Sequence, residues 1–249
     1  MDISGKHIAI LVDNYFEQPE FEEPMSALRD AGAEVTVIGV STTNLTGLNH
    51  ADKGDSFSAD ILLAQASSTD YDAIVLPGGA INSDSLRTNE EVQQFVTDFL
   101  ESNKPTAIIC HAPWILVSAD QVDGRRLTSY PTIRDDITNA GGDWVNETVV
   151  VDDNLITSRN PDDIPAFNEA IIEMLKKNDK YAINDAADTI LPADEAENEN
   201  VTRMKSMGYD AEDDGIDKND EADILLDNSE VNDEEFRPSN VIPNQERDK

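Results

Sequence analysis

One cysteine, three histidines and 18 lysines and arginines are all that this 249-residue chain holds of the side chains that staple folds, ligate metals and grip nucleic acid. A single thiol, Cys110, excludes an intrachain disulfide and fits a reducing compartment. His7, His50 and His111 share no ligand-like spacing and no second cysteine can join them, so neither a metal nor another cofactor is expected. The phosphate-cradling G-x-x-x-x-G-K-[ST], the dinucleotide-binding G-x-G-x-x-G and the serine-elbow G-x-S-x-G patterns are missing as well. Set against 52 acidic residues, the 18 basic ones leave a net charge of −34, which repels nucleic acid and anionic membranes. No apolar stretch reaches the roughly 18 residues needed to span a bilayer, and MDISGKHIAILVDN lacks the layout of a cleavable signal. A cytoplasmic protein is the expectation.

The acidity runs through the whole chain, with 30 acidic against 11 basic residues in 1–178 and 22 against 7 in 179–249. It reads as a solvated surface, of a kind that also suits high salt. From Asn178 onward apolar residues thin out and no period persists, so residues 179–249 are expected to be a disordered acidic tail. Asp210 to Glu221 comes near a calcium loop, but its third position is Glu and no apolar helices flank it.

Residues 1–178 instead carry the signals of one α/β domain. His7–Val12 and Tyr71–Pro77 are continuous apolar runs, as in strands buried on both faces. Between them, Glu17–Ala31 places Phe21, Met25 and Leu28 on one helical face, and Glu34–Val40 is a second strand. This β-α-β order predicts a mostly parallel sheet with helices on both sides, a three-layer sandwich of the flavodoxin-like kind. A helix over Glu90–Glu101, a short strand from Arg126, a helix from Pro131, a hairpin around Asp152–Asn154 and a closing helix over Ile164–Lys177 follow. Residues 41–70 are polar and irregular, with a short strand or helix near Ile61–Leu63.

Chemistry concentrates at Pro105–Trp114, where a β-type run ends at Cys110-His111 and a helix is expected to begin directly. First-turn N–H groups favour a thiolate, and the adjacent imidazole is an available base. The alternative is a buried cysteine acting as a small apolar side chain. Gly78-Gly79, after the Tyr71–Pro77 strand, allow either a close backbone approach to a ligand or a tight turn. Glu17, Glu20, Glu22 and Glu23 follow the first strand and Asp84 follows the glycine pair. These acids therefore stand at the same carboxyl edge of the sheet as Cys110, where open α/β sheets place ligands.

Taken in order, Leu76-Pro-Gly-Gly79, Ala107-Ile-Ile-Cys-His-Ala-Pro113, Thr128-Ser-Tyr-Pro131, Ile133-Arg-Asp-Asp136 and Asn139-Ala-Gly141 resemble the PfpI family of intracellular cysteine proteases. That family lies in the ThiJ/PfpI superfamily, with a class I glutamine amidotransferase-like fold, and the likeness runs from about Lys6 to Lys177. The resemblance implies Cys110 as nucleophile, His111 as its neighbouring histidine and Glu20 as the glutamate against the thiol. It implies pocket or oxyanion positions at Gly78, Gly79, Glu17 and Tyr130, and it makes Asp84 the match to an acid that some members take from an adjacent subunit. It further implies a homodimer or hexamer and a peptide or small carbonyl substrate. The expected activity is peptide hydrolysis. Deglycase or glyoxalase-like action on methylglyoxal or its adducts is one alternative, and a stress-response chaperone or cysteine redox sensor is another. Glutaminase chemistry is not expected, because no histidine follows residue 111.

Overall fold

The computed structural model describes residues 2–188, with side chains to residue 177. In chain order the elements are β1 (His7–Val12), β2 (Phe16–Glu17), α1 (Gln18–Asp30), β3 (Glu34–Gly39), β4 (Asn44–Asn49), β5 (Asp52–Ser58) and β6 (Ile61–Leu62). Then come β7 (Ala73–Leu76), α2 (Ala80–Arg87), α3 (Glu90–Glu101), β8 (Thr106–Ile109), α4 (Trp114–Ser118), β9 (Arg126–Leu127) and α5 (Arg134–Asn139). β10 (Asp143–Trp144), β11 (Val149–Asp152), β12 (Leu155–Ser158) and α6 (Ile164–Asp188) complete the order.

Seven strands form the central sheet in the order β11-β12-β8-β7-β1-β3-β6. All its pairs are parallel except the β11–β12 hairpin at one edge. The chain winds from β1 outward through β3 to β6, then returns to place β7 on the other side of β1. The strand order therefore reverses between β1 and β7, and a crevice opens there at the carboxyl edge. Alternation along β1 divides the core. Ile8, Ile10 and Val12 pack with Phe21, Leu28 and Phe167 of α1 and α6, whereas Ala9 and Leu11 pack with Phe95, Phe99 and Leu116 of α3 and α4. Helices on both faces of a mostly parallel sheet make the expected three-layer α/β architecture.

Two elements differ from the expectation. The polar stretch 41–70 contains a second sheet, in which β4 and β5 form an antiparallel hairpin and β2 pairs with β4. β5 reads Asp52-Lys-Gly-Asp-Ser-Phe-Ser58 and is mostly exposed, so it lacks the apolar alternation that marks a half-buried strand. α2 is also unanticipated, because two of the three residues it buries, Asn82 and Ser83, are polar. Among the described residues no helix is long and apolar enough to cross a membrane. α6 runs through Asp188, past Asn178, and the acidic extension beyond it, with Asp210–Glu221, lies outside the described residues.

Candidate active site

β8 delivers Cys110 to the crevice in a conformation that sequence periodicity cannot disclose. Its φ is +65°, in the left-handed region that non-glycine residues seldom occupy. The bend is held from both sides, since the Cys110 N–H donates to Ser158 O at 3.1 Å and its carbonyl accepts the Tyr130 N–H at 2.8 Å. It also swings the next side chain back, so that His111 Nδ1 lies 3.2 Å from Sγ. The expected helix does not begin directly after the cysteine. A turn through His111–Pro113 precedes α4, which is only five residues long. Local donors act in place of a long helix dipole, because the backbone N–H groups of Gly79 and His111 hydrogen-bond the sulfur and favour its thiolate.

Glu20 arrives from the first turn of α1 and is fully buried. Its Oε2 accepts the Gly78 N–H at 2.8 Å. No hydrogen bond of ordinary geometry reaches Oε1. The Cys110 thiol is the other polar group that interacts with this carboxyl. Burial lifts the Glu20 carboxyl to about 8, opposed by the Gly78 N–H. Burial likewise pushes the Cys110 thiol well up, and the charge of an ionised Glu20 pushes it further. Two neighbouring negative charges in a dry site are disfavoured, so the thiolate is accessible only while Glu20 keeps its proton.

His111 is held by its far edge, with Nε2 3.1 Å from Thr132 Oγ1 and the ring stacked on Tyr130 at a centroid distance of 4.6 Å. Burial lowers its pKa, partly offset by Glu17, and favours a neutral imidazole able to take or return a proton at the sulfur.

A cavity of about 770 Å³ opens over the sulfur, walled by Glu17, Glu20, His50, His111, Gly79 and Tyr130. Cys110 itself is only 6% exposed, so the thiol forms its floor. Glu17 is buried on β2 and accepts the His50 N–H at 3.1 and 3.2 Å, with His50 Nδ1 3.0 Å from Oε1. His50, considered in the sequence only as a metal ligand, belongs to the wall because the β4–β5 hairpin carries it there. Asn160–Asp162, at the carboxyl end of β12, also line the cavity, and the sheet-edge rule could have pointed to them.

Two expected site residues stand elsewhere. Asp84 is exposed on the second turn of α2 and does not line the cavity, because the helix turns it outward. Gly78 is not an oxyanion donor, since its N–H is committed to Glu20 and its carbonyl accepts from Asn82 Nδ2 at 3.1 Å and from the Glu17 N–H at 3.3 Å. Among the described residues no group of three or more His, Cys, Asp or Glu side chains is arranged to hold a metal ion.

Residues 6–174 match the model of the DJ-1/PfpI family. General stress protein 18 of Bacillus subtilis is 40% identical over 178 residues, covering 70% of this chain and 99% of that protein. Uncharacterised proteins of Staphylococcus aureus are 39% identical over 173 residues, covering 69% of this chain and 99% of theirs. Among solved structures, DJ-1beta of Drosophila melanogaster superposes with a TM-score of 0.63 at 31% identity, covering 70% of this chain and 91% of that one. A two-domain protein of Anabaena variabilis with DJ-1/ThiJ/PfpI-like and ferritin-like domains gives 0.65 at 37% identity, covering 69% of this chain and 48% of that one. A cysteine forced into a left-handed turn at the end of a parallel strand, with a buried glutamate beneath it, is thus set in a fold whose kin are plain: the chain belongs to the DJ-1/PfpI family.

Proposed function

We propose that the protein is a cysteine-dependent enzyme acting on small carbonyl compounds, methylglyoxal or its adducts, with Cys110 as nucleophile. The observation that carries this reading is the placement of the sulfur, 6% exposed on the cavity floor between buried Glu20 and His111 Nδ1 at 3.2 Å. A small aldehyde can reach such a floor more readily than an extended peptide can. In the first step the thiolate attacks the aldehyde carbon. The C–S bond forms as the carbonyl π pair moves to oxygen, and the protonated Glu20 gives that oxygen its proton. The Glu20 carboxylate then accepts the proton of the same carbon and delivers it to the adjacent ketone carbon, while the hydroxyl proton on the first carbon passes to the former ketone oxygen, which leaves a thioester beside an alcohol. Water releases the hydroxy acid and restores the thiol. The oxidation of one carbon balances the reduction of the other, so no outside oxidant is needed.

Peptide hydrolysis is the second reading, favoured by the paired N–H groups of Gly79 and His111, the kind of donors that an acyl-transfer oxyanion requires. Both are directed at the sulfur, and a third acid would have to come from a second copy of the chain, where Asp84 is the residue available. The experiment measures lactate formed from methylglyoxal and cleavage of a fluorogenic peptide by the wild type and by Cys110→Ala. Turnover of methylglyoxal by the wild type and none by the variant is expected. Cysteine-dependent peptide cleavage without methylglyoxal turnover would replace the first reading with the second. Undiminished turnover by Cys110→Ala would remove the nucleophile from both. Protection of a client from aggregation that survives in Cys110→Ala, with neither activity in the wild type, would favour a chaperone.

A further inference from the structure

We propose that the cavity over Cys110 selects its substrate by charge. It admits neutral or cationic carbonyl compounds and turns away those bearing a carboxylate, and Asp162 and Glu17 are the residues that set this choice. The inference rests on the carbonyl reading above and names the substrate class within it.

The wall holds three acidic side chains, Glu17, Glu20 and Asp162, and neither a lysine nor an arginine. Two histidines, the Tyr130 hydroxyl and the Cys110 thiol are its other titratable groups. His111 is biased toward its neutral form by burial, and His50 is turned onto Glu17 through both its N–H and Nδ1. The nearby cations are accounted for. Arg159 adjoins Asn160, but its guanidinium is spent on Asp163 at 2.7 and 3.0 Å, Asn146 at 2.8 Å and Thr148 at 3.3 Å. Lys53 pairs with Leu48 across the β4–β5 hairpin and is not part of the wall.

The backbone donors nearest the sulfur are already engaged. The N–H groups of Gly79 and His111 bind the sulfur, and that of Gly78 binds Glu20. A carboxylate entering this space would lose water and gain no cationic side chain in return, which is the costly case for a charge leaving solvent. The acids differ in what they present. Glu17 is 8% exposed and shared with His50, whereas the carboxyl of exposed Asp162 has no partner among the described residues. Asp162 therefore carries the larger share of the repulsion at the mouth, and the net charge of −34 reinforces it at longer range. An aldehyde adduct carried on an amine suits such a cavity, because a protonated amine nearby would find Asp162 and Glu17.

The test uses the single cysteine of the chain as its own reporter. Cys110 in the full-length protein is alkylated by iodoacetamide, which is neutral, and by iodoacetate, which is anionic. In each case sulfur displaces iodide from carbon, and each rate is normalised to that of free cysteine. The amide should react faster by about tenfold, the effect of one or two like charges across a few ångströms of partly screened space. Asp162→Asn and added sodium chloride should each narrow the ratio, and kcat/KM for methylglyoxal over glyoxylate should move in parallel. Equal normalised rates, or a ratio that neither Asp162→Asn nor salt alters, would overturn the charge filter. Discrimination without methylglyoxal turnover would remove the carbonyl reading and leave the filter standing, so the two failures are distinguishable.

Discussion

Glu20→Gln will make the protein more stable at neutral pH and much less active. In the unfolded chain the Glu20 carboxyl ionises near 4.5, whereas in the fold it holds its proton to about 8. Between those values the unfolded chain has released a proton that the folded one keeps, so wild-type stability falls as pH rises across this window. Below 4.5 both states are protonated, and above 8 both have ionised, so the loss is confined to the interval. At pH 7 it amounts to about 3 kcal/mol, from the 1.36 kcal/mol that attends each pH unit. Glutamine is nearly isosteric, its carbonyl can accept the Gly78 N–H, and it never ionises. The variant should therefore show a urea midpoint that stays level from pH 5 to 8 where the wild type declines. Its activity should fall by two orders of magnitude or more, since the amide can neither give the alkoxide a proton nor take one from carbon. A wild-type midpoint as flat as that of the variant would mean that Glu20 is ionised in the fold. The assigned role as proton donor would then fail.

This opposition of stability and function explains why so much of the site is hidden from sequence reasoning. The periodicities of β1, α1, β3 and α3 report burial, and burial is what fixes the layers. α3 spans Glu90–Glu101 and buries Val92, Phe95, Val96, Phe99 and Leu100 along one face. The carboxyl-edge rule then brought Glu17, Glu20 and Cys110 together, because it needs only strand direction. It could not reveal that φ at Cys110 is +65°, and so could not tell that His111 would reach the thiol when neighbouring side chains ordinarily diverge. Nor could it reach residues carried on elements with no apolar signature. His50 rides a hairpin whose second strand is mostly exposed. Asn82, buried in α2, donates to Pro77 O at 3.0 Å and Gly78 O at 3.1 Å and accepts the Asp13 N–H at 2.7 Å, clamping the glycine turn to the end of β1. A polar residue pointing inward looks like a surface residue to any hydrophobic count, although its hydrogen bonds make it as much a part of the core as a leucine.

The glycine pair supplies the second large effect. A ligand approaching the backbone and a tight turn are both consistent with Gly78-Gly79, and the space that a side chain would take at either is filled by the protein itself. A methyl group on Gly78 would stand 2.5 Å from Cys110 Cβ and 2.6 Å from Glu20 Oε2. One on Gly79 would meet Glu17 N at 2.7 Å, Tyr15 O at 2.8 Å and Phe16 Cα at 2.9 Å, all of them backbone, at a φ of +90°. Backbone cannot swing aside as a side chain can, so Gly79→Ala combines a left-handed penalty with an overpacked contact. It should cost on the order of 3 kcal/mol or more. Gly124→Ala is the control, with φ +73° but nothing within 4 Å, and should cost about 1 kcal/mol from backbone conformation alone. Gly78→Ala should separate Glu20 from the thiol, lowering turnover more than its stability loss explains, with the iodoacetamide rate of Cys110 changing in step. If Gly79→Ala unfolds at the same urea concentration as Gly124→Ala, the close packing of this turn against β2 is wrong. The donor that Gly79 offers the sulfur would then have to be reassigned.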